Sequence, residues 1–173
     1  MTSITEGGCA CGACRFELQG TPMITHACHC TDCRRLTGAP FAVNLWIEAD
    51  NVVLKSGELR SAMLKGGESG QPCEVWFCDA CGASLWSRYH VAPGNFRWVR
   101  GGALDDPSSF APDVHVWTRS KMPFVTMPDD VPVYEQFYEL KDVWPVESLG
   151  RLGANIEAHG KQSASDRGEE AGP

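Results

Sequence analysis

Apolar and polar positions alternate in short runs through most of this chain, and seldom with the period of a helix. Arg15-Phe16-Glu17-Leu18 sets charged against apolar side chains one by one, as a strand with a single buried face does. Phe41 to Ile47 and Asn51-Val52-Val53-Leu54 are rich in β-branched and aromatic residues, which favour strands. Glu74-Val75-Trp76-Phe77, Ala83 to Tyr89, Asn95 to Arg100 and Val114 to Thr118 continue the series. Lys55-Ser56-Gly57-Glu58, between Leu54 and Leu59, predicts a hairpin turn. Such spacing predicts a mostly antiparallel β domain with little helix. Two helical pieces are expected. One is a single turn over Thr31 to Leu36, capped by Thr31 or Asp32. The other is a short helix over Val131 to Leu140 behind Asp129-Asp130, with Pro132 in its first turn.

A chain of 173 residues supports one ordinary core and is short for two domains. Past about Gly150 the composition turns to Gly, Ala, Ser, Glu, Lys and Gln, with no aromatic residue after Trp144. The expected division is therefore a folded domain over residues 1–150 and a disordered tail over 151–173. Apolar runs such as Phe41 to Ile47 are far too short to cross a bilayer. Met1 to Glu6 offers neither the basic nor the apolar part of a secretory signal, so a cytoplasmic location without membrane association is expected. The formal charge of −7 repels phosphate backbones and argues against nucleic acid as a partner. The CxxC–HxxxH spacing of DNA-reading fingers is absent as well.

Nine cysteines change the picture. Their odd number and tight clustering argue against a disulfide framework, because thiols one or two residues apart rarely reach disulfide geometry. Metal binding is the better account. Cys28-His29-Cys30-Thr31-Asp32-Cys33 places three thiols in one turn, with Arg34 and Arg35 directly behind. Cys9/Cys11 and Cys78/Cys81 are each followed by a glycine, Gly12 and Gly82, as in a zinc knuckle. These two pairs read as halves of one closed four-cysteine site whose role is in folding. The middle cluster lacks the glycine and makes Cys28, Cys30 and Cys33 candidates for an open zinc site. A fourth ligand from His26, His29, Cys14 or Cys73 would close it instead. Cys9-Ala10-Cys11-Gly12-Ala13-Cys14 repeats the C-x-C-x-x-C spacing of the middle cluster, yet Cys14 falls where a strand buries a small apolar residue. Cys73 stays open between loop thiol and ligand. Arg34 and Arg35 offer bidentate partners to a carboxylate. His29 is either a proton shuttle or an outward-pointing bystander, and His115 reads as a strand histidine. The tryptophans 46, 76, 86, 98 and 117 read as core, with one or two able to wall a cleft.

Gly7-Gly8-Cys9-Ala10-Cys11-Gly12, Cys28 to Arg35, Phe77-Cys78-Asp79-Ala80-Cys81-Gly82 and His115 to Phe124 together resemble the glutathione-dependent formaldehyde-activating family. That family is also called the centromere-protein-V-like domain. The resemblance spans about Thr5 to Phe137. It implies a Mss4-like fold of several small coiled antiparallel sheets stapled by two zinc ions. One ion is structural, on Cys9, Cys11, Cys78 and Cys81; the other is catalytic, on Cys28, Cys30 and Cys33, with a position left open. The implied activity is that of a carbon–sulfur lyase on a thiol or thiol–aldehyde adduct, with glutathione and a small aldehyde as partners. Arg34 and Arg35 would then anchor a glutathione carboxylate. The alternative is a zinc-stapled binding or scaffold module without catalysis.

Overall fold

A computed structural model describes residues 3–90 and 92–159. Its β structure falls into two sheets. The small one is antiparallel and runs β1 (Ile4–Gly8), β2 (Arg15–Gln19) and β5 (Val52–Ser56), in that order. The large one has seven strands. From edge to edge they are β10 (Val114–Val116), β3 (Ile24–Cys28), β4 (Ala42–Glu48), β9 (Phe96–Arg100), β8 (Ser84–Tyr89), β7 (Cys73–Cys78) and β6 (Leu59–Leu64). Every pair is antiparallel except β10 with β3. The mostly-β expectation therefore holds, and the alternation in β2 buries Phe16 and Leu18 as read.

β4 is the strand that organises the site, because it is buried on both faces. Leu45 and Ile47 join one core with Phe16, Leu18, Leu85, Trp86 and Val99. Trp46 joins the other with Trp98, Phe96, Tyr138 and Trp144. Cys9 and Cys78 pack into the first core; Cys28, Cys30 and Cys33 pack into the second. The two thiol groups thus serve two different cores.

Three sequence expectations are corrected. The turn at Gly57 exists, with φ 86°, but it joins no hairpin. β5 pairs with β2 in the small sheet, whereas β6 pairs with β7 in the large one. A Cβ at residue 57 would lie 2.5 Å from the Ala13 carbonyl oxygen and 2.7 Å from Cys14 Sγ, so only glycine passes there. Alternation reports a buried face and is blind to which strand supplies the partner.

Val131 to Leu140 is not a helix. His115 N donates to the Pro132 carbonyl at 2.8 Å, Tyr134 N to the His115 carbonyl at 2.9 Å, and Trp117 N to the Gln136 carbonyl at 3.0 Å. Proline at 132 gives up no donor that this extended pairing needs. The helix nearby, α2, covers only Leu140–Val143.

The tail also begins later than residue 151. Helix α3, Val146–His159, lays Leu149, Leu152 and Ile156 against the second core. Arg151 clamps Glu48 through two hydrogen bonds of 2.9 and 2.6 Å, and Ser148 donates to the Met23 carbonyl at 2.7 Å. Residues 151–159 therefore belong to the folded body, and 160–173 of the expected tail lie outside the described residues.

Candidate metal centres and the cavity beside them

Cys9 and Cys11 follow directly on β1, in the small sheet, while Cys78 and Cys81 flank the turn from β7 to β8 in the large one. Their four sulfurs lie within 4.8 Å of one another. A tetrahedral zinc with bonds of about 2.3 Å sets its sulfurs about 3.8 Å apart, so this quartet fits the ion. Cys14 N donates to Cys9 Sγ at 3.2 Å, and Gly12 and Gly82 take φ of 78° and 74° to fold the knuckles. Cys14 itself stays out of the group. Its thiol is fully buried, donates to the Glu58 carbonyl at 3.3 Å, and is pushed up to about 12 by burial. The two C-x-C-x-x-C runs thus share a spacing and not a use.

The second group comprises Cys28, Cys30 and Cys33, all buried, with sulfurs again within 4.8 Å of one another. Cys28 ends β3. Helix α1, Thr31–Thr37, supplies Cys33, and its N-cap is Cys30, whose sulfur accepts from Cys33 N at 3.4 Å. The expected cap at Thr31 or Asp32 is replaced by a thiol because Cys30 holds the extended ψ of 156° that a cap requires. Asn44 Nδ2 donates to Cys33 Sγ at 3.6 Å. Hydrogen bonds from Cys28 and Cys30, with Arg100 and Asn44 assisting against burial, hold Cys33 well below the usual thiol range. Hydrogen bonds among the same sulfurs, ahead of burial, push Cys28 well above it. The trio fits three corners of a zinc tetrahedron. Among the described residues no fourth His, Cys, Asp or Glu joins it, and His26, His29, Cys14 and Cys73 are all outside.

Cys28 and Cys33 open on a cavity of about 370 Å³. Trp46, Trp98, Trp117, Tyr89 and Phe137 form its aromatic walls; Asn44, Ser87 and Arg100 are polar members of the sheet face below. Register explains the floor: β3, β4 and β9 align His26, Asn44 and Arg100 in one cross-strand row. His26 bonds Tyr138 Oη at 2.6 Å, and Trp144 Nε1 donates to the same oxygen at 2.8 Å. Since the indole only donates, the phenol is free to donate to His26 Nε2. Burial holds His26 down to about 4, which matches an accepting, neutral imidazole.

The arginines read from the sequence are elsewhere. Arg34 and Arg35 line a separate depression with Met122 and Phe124, because each helical step turns the side chain about 100° from the direction of Cys33. The guanidinium on the cavity is Arg100, which sequence reading did not single out; it ends a strand with no motif around it. His29 is 0% exposed, stacks on His115 with a 3.0 Å contact between ring nitrogens, and does not reach the cavity. Cys73 is buried at the start of β7.

The sequence model of the glutathione-dependent formaldehyde-activating enzyme family matches residues 4–120, which includes all seven of these cysteines. The chain belongs to this family. A Halomonas elongata protein, provisionally named as a glutathione-dependent formaldehyde-activating enzyme, is 36% identical over 88 residues. That match takes in 48% of this chain and 55% of the relative, so the chain spans about half the length of the curated relative it matches. A crystal structure of a Rhodobacter sphaeroides protein is similar with a TM-score of 0.42 at 21% identity, covering 60% of this chain and 93% of that one. No helix among the described residues of this family member is long and apolar enough to cross a membrane.

Proposed function

We propose that this member of the family makes and breaks a carbon–sulfur bond between a thiol and a small aldehyde, as a lyase. Glutathione and formaldehyde are the pair that the family description points to. Zinc held by Cys28, Cys30 and Cys33 is the cofactor, and a second zinc on Cys9, Cys11, Cys78 and Cys81 serves the fold. When bound at the trio, zinc supplies Lewis acidity that keeps a sulfur as thiolate near neutral pH. In the joining direction the thiol sulfur adds to the carbonyl carbon, the C=O π bond breaks, and the thiol proton passes to the carbonyl oxygen. The reverse returns both molecules.

The observation that carries this reading is the incomplete ligand set on the wall of the cavity. Three buried sulfurs gather there without a fourth protein ligand among the described residues. The quartet, by contrast, is complete. The aromatic walls make the surroundings of the reacting sulfur largely apolar, and the Arg100 and Asn44 donors put positive potential beside it. A reducing, cytoplasmic setting would keep all nine thiols available.

Exchange NMR tests it. The protein is expected to raise the rate of exchange between free glutathione and its hydroxymethyl adduct, and Cys33→Ser to abolish that increase while the quartet keeps its metal. Two metals that no thiol perturbs, with exchange at the uncatalysed rate, would leave a stapled scaffold in its place.

A further inference from the structure

Arg100 is 5% exposed, and the side chains it donates to, Asn44 and Ser84, are neutral. Its Nη1 donates to Asn44 Oδ1 and its Nε to Ser84 Oγ at 3.3 Å. Among the described residues no carboxylate lies within 4.0 Å of it, whereas Arg15 holds two and Arg119 and Arg151 one each. A buried guanidinium is unfavourable unless something negative balances it. The sulfurs of the trio, negative as metal ligands, lie one side chain away. Asn44 faces Arg100 directly across the β4–β9 register. Because a guanidinium only donates, Asn44 must turn its oxygen to Arg100, which aims its Nδ2 at Cys33 Sγ, 3.6 Å away. The orientation of the amide is thus decided by the arginine.

We propose that Arg100 and Asn44 form a positioning relay that withdraws electron density from the Cys33 sulfur and balances its charge. The inference rests on the reading of Cys28, Cys30 and Cys33 as metal ligands. The relay acts through the sulfur, so neither residue needs to touch substrate. It also accounts for a cation kept in the floor of an apolar cavity within an acidic chain. Polarised hydrogen bonds to a ligating sulfur are a general means of tuning a metal site.

The test is cobalt substitution of the full chain, reading the sulfur-to-cobalt charge-transfer band of the trio as the part of the spectrum lost in Cys33→Ser. Removing a hydrogen bond from sulfur makes it a better electron donor, so Asn44→Leu and Arg100→Gln are each expected to move that band to longer wavelength. The double variant is expected to move it no further than Asn44→Leu alone, because the arginine acts through the amide. Asn44→Asp guards against loss of folding. It keeps the volume and gives Arg100 a carboxylate, yet removes the N–H aimed at sulfur, so it too must shift the band. Unchanged bands from the quartet report an intact fold. A trio band that stays in place in Asn44→Asp overturns the relay. So does an Arg100→Gln variant that raises KM with its band unmoved, which would make Arg100 a substrate anchor. If wild-type protein takes up only one cobalt, the metal reading and the relay fall together; two cobalts with an immobile band sink the relay alone.

Discussion

Cys30 shows how much one residue of this chain is asked to do. It caps α1, accepts the Cys33 amide and belongs to the trio, so backbone geometry and metal chemistry are set by the same sulfur. Its spacing from Cys28 and Cys33 was legible in the sequence. The role of Asn44 was not, because it is sixteen residues from Cys28 in sequence and adjoins the trio only through strand pairing. Exchanging one trio member tests the division of labour between the two sites. Cys28→Ser is expected to lower metal content from two equivalents to one while leaving the fold cooperative, as read by elemental analysis and thermal unfolding. Gly7 carries a steric prediction of its own. A Cβ there would stand 2.5 Å from Phe16 and 2.6 Å from the Ala103 carbonyl, so Gly7→Ala is expected to cost about 1–3 kcal/mol in a denaturant titration.

At the scale of elements, the site is closed by pieces that the strand pattern did not mark. The segment between β6 and β7 carries Ser69 and Gln71 to the cavity, and it is tied down at both of its acidic contacts. Gly67 N donates to Asp32 at 2.7 Å, while Glu68 accepts from Thr31 N at 3.1 Å, from Arg119 at 2.9 Å and from Ser120. Burial pushes the Glu68 carboxyl up, but those donors outweigh it and hold it below the usual range. Glu68→Ala is therefore expected to release the segment, seen as faster hydrogen exchange at the Gly67 and Thr31 amides with little change in overall melting. Helix α3 is held in a comparable way. Burial raises Glu48, and the Arg151 hydrogen bonds more than offset this, leaving Glu48 below its ordinary value of 4.5. A depressed folded pKa means that the unfolded chain binds the proton more tightly. The clamp therefore stabilises fully above the ordinary carboxylate range and is lost as pH falls through the lowered value. Arg151→Ala is expected to lose about 1 kcal/mol at neutral pH and progressively less towards acid, where thermal melts of the two proteins should converge. The stripe Leu149, Leu152 and Ile156 was present in the sequence with helical spacing. Its polar surroundings and lack of aromatic residues hid it.

For the whole molecule, the quartet matters more than the trio. Cys9 and Cys11 leave the small sheet and Cys78 and Cys81 belong to the large one, so the metal they fit would tie the two sheets together. Structural zinc contributes its binding free energy to folding. Chelation is accordingly expected to act in two stages, followed by metal release and circular dichroism. Loss of the first equivalent, from the trio, should leave the spectrum native; loss of the second should abolish the cooperative transition. Cys81→Ser is expected to reproduce the second stage at once, and a native, cooperative Cys81→Ser protein would refute the stapling role.

Amino-acid order alone determined the class of fold, the family and the partition of seven thiols into a quartet and a trio. These follow from local patterns: alternation in strands, glycine behind two knuckles, three cysteines in one turn. Tertiary structure alone decided that β5 and β6 part into different sheets, that α3 packs on the second core, and that Arg100 rather than Arg34 or Arg35 lies in the floor of the cavity. Each of those depends on which distant strand lies alongside. Pairing energy comes from side chains that meet across a sheet, and nothing in the neighbourhood of residue 44 or 100 records the other.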